Sequence, residues 1–271
     1  MAFNSKKQLS QFLAEDIGKG DITSNLLSKK KITVKIISRE NAIVAGASYA
    51  KEIFKLKGCS SKILKKDGSK IKPNQTIMII SGNAGNILTC ERTALNLLTR
   101  MSGIATQTNN LVKKIPKKTK LYATRKTAPG LRYFDKEAVE IGGGKKHRLT
   151  LDEMVMIKDN HIAISESLLS LIKKTKKKYK KFEVEVENTS DAILAAKEGA
   201  TIIMLDNFTP AQIKKTIQTL KNQKLRKTIL LEASGGITSK NISKYGQTEV
   251  DIISVGSITN SVKGIDMSLE I

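Results

Sequence analysis

The sequence of 271 residues has two cysteines, four prolines, two histidines and no tryptophan, and only 4% of its residues are aromatic. Cys59 and Cys90 have no second Cys or His nearby, which argues against a disulfide framework and a zinc finger. With 39% hydrophobic residues and little proline, the chain is neither disordered nor collagen-like. No run reaches the roughly 18 apolar residues of a membrane-spanning helix, and the N-terminus lacks a signal-peptide pattern. We therefore expect a soluble, cytoplasmic protein.

The charge is strongly one-sided: 48 Lys+Arg stand against 25 Asp+Glu, a formal net charge of +23. Such an excess fits a nucleic-acid-binding protein, an enzyme with an anionic substrate, or a protein with a lysine-rich surface. Most of the cations are lysines, with runs at 113–120 and 173–181. Arginine, whose planar fork suits pairs of carboxylate or phosphate oxygens, is rare, so its positions are more informative. The arginines are Arg39, Arg92, Arg100, Arg125, Arg132, Arg148 and Arg226.

The first hundred residues predict a small domain of sheet and helix. Residues 8–18 and 48–58 have helical patterns, and the Asp-Gly and Pro of 67–75 indicate a turn. Short β-rich stretches predict strands at 32–38, 42–46, 59–66 and 75–81. A long helical pattern at 86–115 follows, and we expect it to link this domain to the rest of the chain.

Beyond the long helix, short strands alternate with helical stretches. The predicted strands are 120–124, 154–158, 182–187, 201–206, 228–233 and 251–256. This rhythm is typical of a parallel sheet with right-handed crossovers, and six or seven units fit a closed or nearly closed barrel. An open, doubly wound sheet is the alternative, disfavoured because no GxGxxG motif follows an early strand. We predict an α/β protein with an N-terminal domain over residues 1–105, on which the C-terminal residues can pack, and a barrel over 106–271.

Polar residues follow nearly every predicted barrel strand at its carboxyl end. Arg125 and Lys126 follow the first strand, Lys158 ends the second, Glu185 lies late in the third, and Asp206 ends the fourth. Active sites of α/β barrels are built from such positions. A single residue of this kind is often only a solvated strand end, but the recurrence predicts a shared site.

The third strand, FEVEVE, alternates strictly between apolar and acidic residues. The apolar residues must face the surrounding helices, so the sequence predicts that the acidic ones point into the barrel, namely Glu183, Glu185 and Glu187. Carboxylates inside a barrel are costly unless cations or a metal balance them. Lys126 and Lys158, from neighbouring strands, are the expected partners.

Two features indicate binding of small anions. Ser234-Gly235-Gly236 and Gly256-Ser257 follow the last two strands, where glycines let backbone amides approach a phosphate, although such sequences also form ordinary turns. Three of the seven arginines lie within residues 125–148, which fits a substrate with two carboxylates. Nucleic-acid phosphate would fit too, but the segment lacks the aromatic residues with which single-strand binders stack bases.

Nine motifs in order resemble the quinolinate phosphoribosyltransferase family over nearly the whole chain. They are GDITSNLL, ERTALNLLTRMSGIAT, TRKTAPGLR, GGGKKHR, IKDNHI, EVEVEN, MLDNF, EASGGIT and SVGSIT. The resemblance implies an N-terminal α/β sandwich and a seven-stranded, incomplete α/β barrel of TIM-like type. It also implies that the enzyme combines quinolinate with 5-phosphoribosyl-1-pyrophosphate, using Mg²⁺, to give nicotinate mononucleotide, pyrophosphate and carbon dioxide in NAD biosynthesis.

The resemblance also implies roles for individual residues. Those expected to hold the quinolinate carboxylates are Arg125, His147, Arg148 and Lys158, joined by Arg92 from a partner subunit. Those expected to contact the phosphoribosyl donor are Lys126, Glu185, Asp206, Ser234, Gly235 and Gly256. Among these, Lys126, Glu185 and Asp206 would be catalytic, and Glu185 and Asp206 would hold the metal directly or through water. The shared site implies a homodimer, or a hexamer.

Two alternatives stay open in the sequence. A sister family associated with molybdenum transport shares the barrel motifs, although the complete IKDNHI favours the biosynthetic enzyme. A basic nucleic-acid-binding protein would use the net charge of +23 directly. We expect neither a membrane nor a specific nucleic acid as a partner.

Overall fold

A computed structural model describes residues 4–27 and 30–271. The chain forms two compact units that are interleaved along the sequence. The first unit comprises the chain up to Asn109 together with Pro129–Gly143 and Ser261–Ile271, and the second comprises Asn110–Ala128 and Gly144–Asn260. A domain boundary near residue 105 stays a prediction. No helix in the described part of the chain combines the length and the apolar character that crossing a lipid bilayer requires.

An antiparallel sheet of four strands organises the first unit, in the order β12-β1-β5-β3. Its strands are β1 (Lys31–Ser38), β3 (Ser60–Ile63), β5 (Thr76–Asn83) and β12 (Met267–Glu270). The β-branched residues of β1 favour this extended conformation, and its buried Val34 lies opposite Ile80 of β5. A separate two-stranded ladder joins β2 (Ala42–Ile43) to β4 (Lys70–Ile71). The segment predicted as a turn at 67–75 therefore contains a short strand.

The helices predicted in the first unit are confirmed. They are α1 (Ser5–Ile17), α2 (Ala47–Leu56) and α3 (Ala84–Val112). The first unit also contains α4 (Arg132–Ile141) and a 3₁₀ turn at Ser24–Leu26, which the sequence did not predict there. The side chain of Asn4 caps α1 by accepting from the backbone N–H of Lys7. Gly103 of α3 is required by a close backbone approach, because a Cβ there would lie 2.1 Å from the carbonyl oxygen of Lys263. The C-terminal segment thus packs directly on α3.

Six parallel strands form the second unit, in the order β6-β11-β10-β9-β8-β7. They are β6 (Lys120–Tyr122), β7 (Val155–Ile157), β8 (Phe182–Val186), β9 (Ile202–Asp206), β10 (Leu230–Ser234) and β11 (Ile252–Ser254). In chain order, the last of these strands, β11, pairs with the first, β6, so the sheet curves back on itself. Lys145 adds a seventh position through a parallel bridge to Tyr122. The strands β7 to β11 follow one another in chain order across the sheet, without the reversal of a doubly wound sheet, and the ends at Lys145 and β7 are not joined in the described part of the chain. The predicted incomplete barrel is therefore confirmed, and the open, doubly wound sheet is excluded.

Helices alternate with the barrel strands as the βα rhythm predicts. They are α5 (Asp159–Ala163), α6 (Leu168–Lys178), α7 (Thr189–Lys197), α8 (Pro210–Asn222), α9 (Ile242–Gly246) and α10 (Ser257–Asn260), with a 3₁₀ turn at Arg226–Thr228. The side chains of Ser167, Asn188 and Thr209 cap α6, α7 and α8. Parallel strands joined in this way bring all their carboxyl ends to one rim, which is where the polar residues lie.

The two cysteines are free and buried, as the sequence predicts. Burial raises the pKa of the Cys90 thiol to about 12, and it also raises the pKa of Cys59. Both therefore behave as small core residues and not as nucleophiles.

Candidate active site

A cavity of about 350 Å³ opens at the carboxyl ends of the barrel strands. Every strand from β6 to β11 contributes a lining residue, either from its own length or from the residues that follow it. Most of the residues predicted from the sequence line this cavity, namely Arg125, Lys126, His147, Arg148, Lys158, Glu185, Asp206 and Ser234. Convergence of both signs of charge in one barrel mouth is the arrangement of an active site.

Two guanidinium groups lie side by side in the cavity. The Arg148 side chain is held by Nη1, which donates to the carbonyl oxygen of Met154 at 2.9 Å. Burial lowers the pKa of Arg148, and the positive charge of Arg125 lowers it further. The Nε of Arg125 is buried and has no hydrogen-bond partner among the described residues. Two neighbouring cations, one with an unused donor, form a site for an anion with several oxygen atoms.

Carboxylates lie on the same rim. The Lys158 ammonium contacts Glu185 of β8, as predicted, and the Glu185 side chain is largely buried. On β9, Asp206 accepts a hydrogen bond from the side-chain amide of Asn207 at 2.8 Å. These two acids and Lys158 can hold hydroxyl groups or a cation beside the arginine pair.

Glycine is required where the next loop approaches Asp206. Gly235 has a φ of +88°, and a Cβ on it would lie 2.1 Å from Oδ1 of Asn207. The backbone N–H of Asn207 donates to the carbonyl oxygen of Ser234 at 3.0 Å, which locks the ends of β9 and β10 together. Gly256 lies against the Lys126 side chain, with 3.2 Å between its ideal Cβ and the lysine Cδ. Both glycines thus shape the rim that Ser234 and Lys126 line.

His147 joins the cavity to two fully buried carboxylates. Its Nε2 lies 3.3 Å from Oε2 of Glu183 and 3.6 Å from Oε2 of Glu232. Its Nδ1 accepts a hydrogen bond from the backbone N–H of Arg148 at 2.8 Å. Because Nδ1 acts as an acceptor, the ring proton is on Nε2, facing the carboxylates. The ring of Tyr122 packs edge-on against the imidazole, with 5.6 Å between centroids.

The pKa values of Glu183 and His147 are both raised in this buried cluster. Burial raises the pKa of Glu183 to about 7 despite the opposing effect of His147. Burial lowers the pKa of His147, but the interactions with Glu183 and Glu232 outweigh it and raise that pKa to about 9. The raised pKa values mean that the cluster of three groups holds one proton more than a neutral imidazole and two ionised carboxylates would hold together. Since Nδ1 already accepts from Arg148, the extra proton is assigned to Glu183, whose pKa is raised.

We expect this cluster to make the protein less stable as the pH rises. The cluster keeps its extra proton up to about pH 9, whereas the histidine of the unfolded chain loses it near pH 6.5. The folded state therefore binds more protons than the unfolded state between about pH 6.5 and pH 9, and the free energy of unfolding falls through that range by up to about 1.4 kcal/mol per pH unit. Urea unfolding at several pH values measures this slope. The double variant Glu183→Gln/Glu232→Gln should flatten it, while Glu187→Gln should not. An equal slope in all three proteins would contradict the assignment.

Several expectations from the sequence differ from the structure. Glu187 lies beyond the end of β8 and is exposed, because the strand ends at Val186. Glu183 pairs with His147 and not with a lysine. The arginine-rich segment is divided, since Arg132 begins α4 in the first unit. The helix expected directly after Ser234-Gly235-Gly236 begins only at Ile242.

Arg92 lies on α3 and is exposed. It is not among the residues that line the cavity, and its predicted role from a partner subunit stays a prediction. Sequence reasoning missed Glu232, which lies in the cavity wall and contacts His147. The alternation along β10 could have predicted this position. Leu231 and Ala233 are apolar and buried, so Glu232 must lie on the opposite face of the strand.

A larger cavity of about 480 Å³ lies within the first unit. Arg100 lines it, but both arms of its guanidinium are held by Asp135, with Nε–Oδ1 at 2.8 Å and Nη2–Oδ2 at 2.9 Å. A fork engaged in this way is not offered to a substrate carboxylate. The barrel cavity is therefore the better candidate for the active site.

The fold and the cavity define an α/β-barrel enzyme that acts on small anionic molecules. A family model described as "Quinolinate phosphoribosyl transferase, C-terminal domain" matches residues 104–270, and the corresponding N-terminal domain matches residues 21–102. Together they span almost the whole chain. The chain belongs to the quinolinate phosphoribosyl transferase family.

Curated relatives and solved structures agree with this assignment. The probable carboxylating nicotinate-nucleotide pyrophosphorylase of Archaeoglobus fulgidus is 42% identical, over 93% of this chain and 98% of the relative. The corresponding protein of Bacillus subtilis is 38% identical, over 98% and 93%. The solved nicotinate-nucleotide pyrophosphorylase of Francisella tularensis is 39% identical with a TM-score of 0.90, and covers 98% of this chain and 95% of its own. That of Ehrlichia chaffeensis is 35% identical with a TM-score of 0.93, covering 100% and 99%.

Proposed function

We propose that this protein transfers the phosphoribosyl group of 5-phosphoribosyl-1-pyrophosphate to quinolinate, with release of pyrophosphate and carbon dioxide, to form nicotinate mononucleotide. The observation that carries the proposal is the pair of adjacent guanidinium groups, Arg125 and Arg148, in the barrel cavity. Their mutual repulsion is relieved by an anion, and quinolinate offers two adjacent carboxylates.

The acid binds against the cationic side of the cavity. Arg125 and Arg148 donate hydrogen bonds to its carboxylate oxygens, and Lys158 adds a third positive charge on the same rim. Each charge-assisted contact contributes about 1.5 to 3 kcal/mol, because the cavity walls exclude much of the competing water. His147 lines the same region and fixes the backbone of Arg148. This grip orients the ring nitrogen toward the second substrate.

The phosphoribosyl donor binds on the acidic and glycine-bearing side. Lys126 meets phosphate, Ser234 and the loops at Gly235 and Gly256 offer polar atoms and close backbone approach, and Glu185 and Asp206 face the ribose. The ring nitrogen bonds to ribose C1 as the bond from C1 to pyrophosphate breaks. Positive charge develops on the sugar in that step, as in glycoside chemistry, and the carboxylates stabilise it.

Loss of carbon dioxide follows attachment of the ribose. The ring nitrogen is then cationic and stabilises the electron pair that the breaking bond to the 2-carboxylate leaves on the ring carbon, and that carbon then takes up a proton from water. The chain contributes by holding the remaining carboxylate, so that the ring stays in place. No covalent bond to the protein is required.

The residues of the cavity suit Mg²⁺. Glu185 and Asp206 present carboxylate oxygens on neighbouring strands, and Mg²⁺ binds proteins through one or two carboxylates together with substrate phosphates. These two side chains would hold the ion directly or through water. When bound, it neutralises the charge of the departing pyrophosphate.

We propose that the active enzyme is a homodimer, with a hexamer as the larger alternative, and that Arg92 of one subunit completes the acid site of the other. Arg92 is exposed and does not line the cavity of its own chain. Exposed on α3, its guanidinium group can contact a partner subunit. We place the enzyme in the cytoplasm, where the two unpaired thiols, Cys59 and Cys90, stay reduced.

The decisive assay is release of carbon dioxide from quinolinate labelled in the 2-carboxylate. We expect release only when both the phosphoribosyl donor and Mg²⁺ are present. Nicotinate, which lacks the 2-carboxylate, serves as the matched control and should give little nucleotide product. Release without the donor, or equal turnover of nicotinate, would contradict the proposed reaction.

A further inference from the structure

Two acidic residues of the barrel have no part in the reaction described above. Glu183 on β8 and Glu232 on β10 are both fully buried. Within residues 4–27 and 30–271 neither carboxylate has a hydrogen-bond partner, and neither has Nε2 of His147; the three groups meet as close charged contacts at 3.3 and 3.6 Å. A buried carboxylate without donors is costly, and two of them at one histidine are costlier still. Such an arrangement indicates a specific use of these side chains.

We propose that Glu183 and Glu232 are positioning residues for the acid-binding side of the active site: they hold the Nε2–H of His147, and His147 in turn holds Arg148. The inference rests on the proposed function, because Arg148 is one of the two forks assigned to quinolinate.

The contacts form a short chain from the buried carboxylates to the cavity. The carboxylates face Nε2 of His147 at 3.3 and 3.6 Å, which turns Nδ1 toward the backbone N–H of Arg148 at 2.8 Å. His147 has a φ of +53°, a conformation that non-glycine residues seldom adopt unless their surroundings impose it. The same contacts therefore determine where the backbone delivers the Arg148 side chain, whose Nη1 is then tied to Met154.

A metal ion is the other possible occupant of the cluster. One ligand atom each from His147, Glu183 and Glu232 lie within 4.8 Å of one another, which is a spacing that a metal could use. However, Nδ1 already accepts from Arg148, so a metal on Nε2 would leave the imidazole without a proton on either nitrogen. A shared proton satisfies the contacts without that cost.

Nitrogen NMR tests the geometry without relying on activity. The chain has only two histidines, and His161→Asn leaves the signals of His147 alone. We expect Nε2 to be protonated, with a slowly exchanging proton, in protein treated with a chelator, and we expect added Zn²⁺ to leave it unchanged. An unprotonated Nε2, or loss of its proton on stoichiometric Zn²⁺, would overturn the proposal.

Kinetics tests the consequence for the reaction. The double variant Glu183→Leu/Glu232→Leu removes both acceptors, and it should fold because apolar residues of similar volume often replace buried charges without loss of stability. We expect its KM for quinolinate to rise by about 30-fold while its KM for the phosphoribosyl donor changes by less than about twofold. Glu183→Gln/Glu232→Gln keeps acceptors for Nε2–H and should retain a KM within about threefold of the wild type. Glu187→Leu, exposed on the segment after β8, is the matched control and should behave as the wild type.

The outcomes separate the two proposals. If the wild type does not turn over quinolinate, the proposed function fails, and NMR still decides the position of the proton. If the wild type is active and the leucine double variant has a normal KM for quinolinate, the positioning role is overturned. It is also overturned if that variant loses affinity for both substrates equally, because a general structural defect would do the same.

Discussion

Replacing Arg125 with lysine is expected to raise the KM for quinolinate by about 30- to 100-fold, which corresponds to about 2 to 3 kcal/mol of binding free energy. Arg125 lines the cavity beside Arg148, and its buried Nε has no partner among the described residues. Lysine keeps the charge but loses the planar fork that meets two carboxylate oxygens at once. Steady-state kinetics with each substrate varied in turn measures the effect.

The donor KM and the thermal stability of this variant should stay close to those of the wild type. Arg39→Lys provides the control, because Arg39 makes an exposed ion pair with Glu270 in the first unit and the substitution keeps its charge. An unchanged KM for quinolinate in Arg125→Lys would remove Arg125 from the acid site. A loss confined to the donor would move it to the other half of the cavity.

Two inactive variants are expected to restore activity when they exchange subunits. Arg92→Ala should lose the fork offered to the partner's site, and Lys126→Ala should lose the phosphate contact within its own barrel, each with at least about a 100-fold drop in kcat/KM. In a mixed dimer one site carries both defects and the other carries none. Random exchange makes half the dimers mixed, so about a quarter of the wild-type activity should return.

A second mixture makes this result specific. Lys126 and Lys158 line the same cavity of one chain, so every site in a dimer of Lys126→Ala and Lys158→Ala keeps one defect. That mixture should stay inactive. Failure of the first mixture to recover, with exchange demonstrated by mass-labelled subunits, would contradict a site shared across the interface.

Local patterns predicted most of the barrel. The βα alternation located β6 to β11 to within a few residues, because burial of parallel strands between helices demands continuous apolar stretches of that length. Strand ends likewise located Arg125, Lys158 and Asp206, since all parallel strands deliver their carboxyl ends to one rim. The same reasoning placed Glu187 in the barrel and was wrong, because alternation does not tell where a strand stops hydrogen bonding.

Local sequence patterns did not predict which segments leave one unit and join the other. Pro129–Gly143 lies between two barrel strands in sequence, yet it belongs to the first unit and carries Arg132 with it. A short stretch of sequence does not show which hydrophobic core a helix packs on, because that depends on contacts between residues far apart along the chain. β4 was missed for a related reason: a two-residue ladder has too little pattern to separate it from a turn.

By itself, the sequence determined the family, the barrel and the charged residues of its rim, because periodicity and ordered motifs are properties of short segments. Only the tertiary structure decided which charges meet. It gave Glu183 to His147 instead of a lysine, brought the unforeseen Glu232 to the same imidazole, and set Arg148 beside Arg125. Those pairings depend on strand register and on a left-handed backbone at His147, and both arise only when segments distant in sequence pack together.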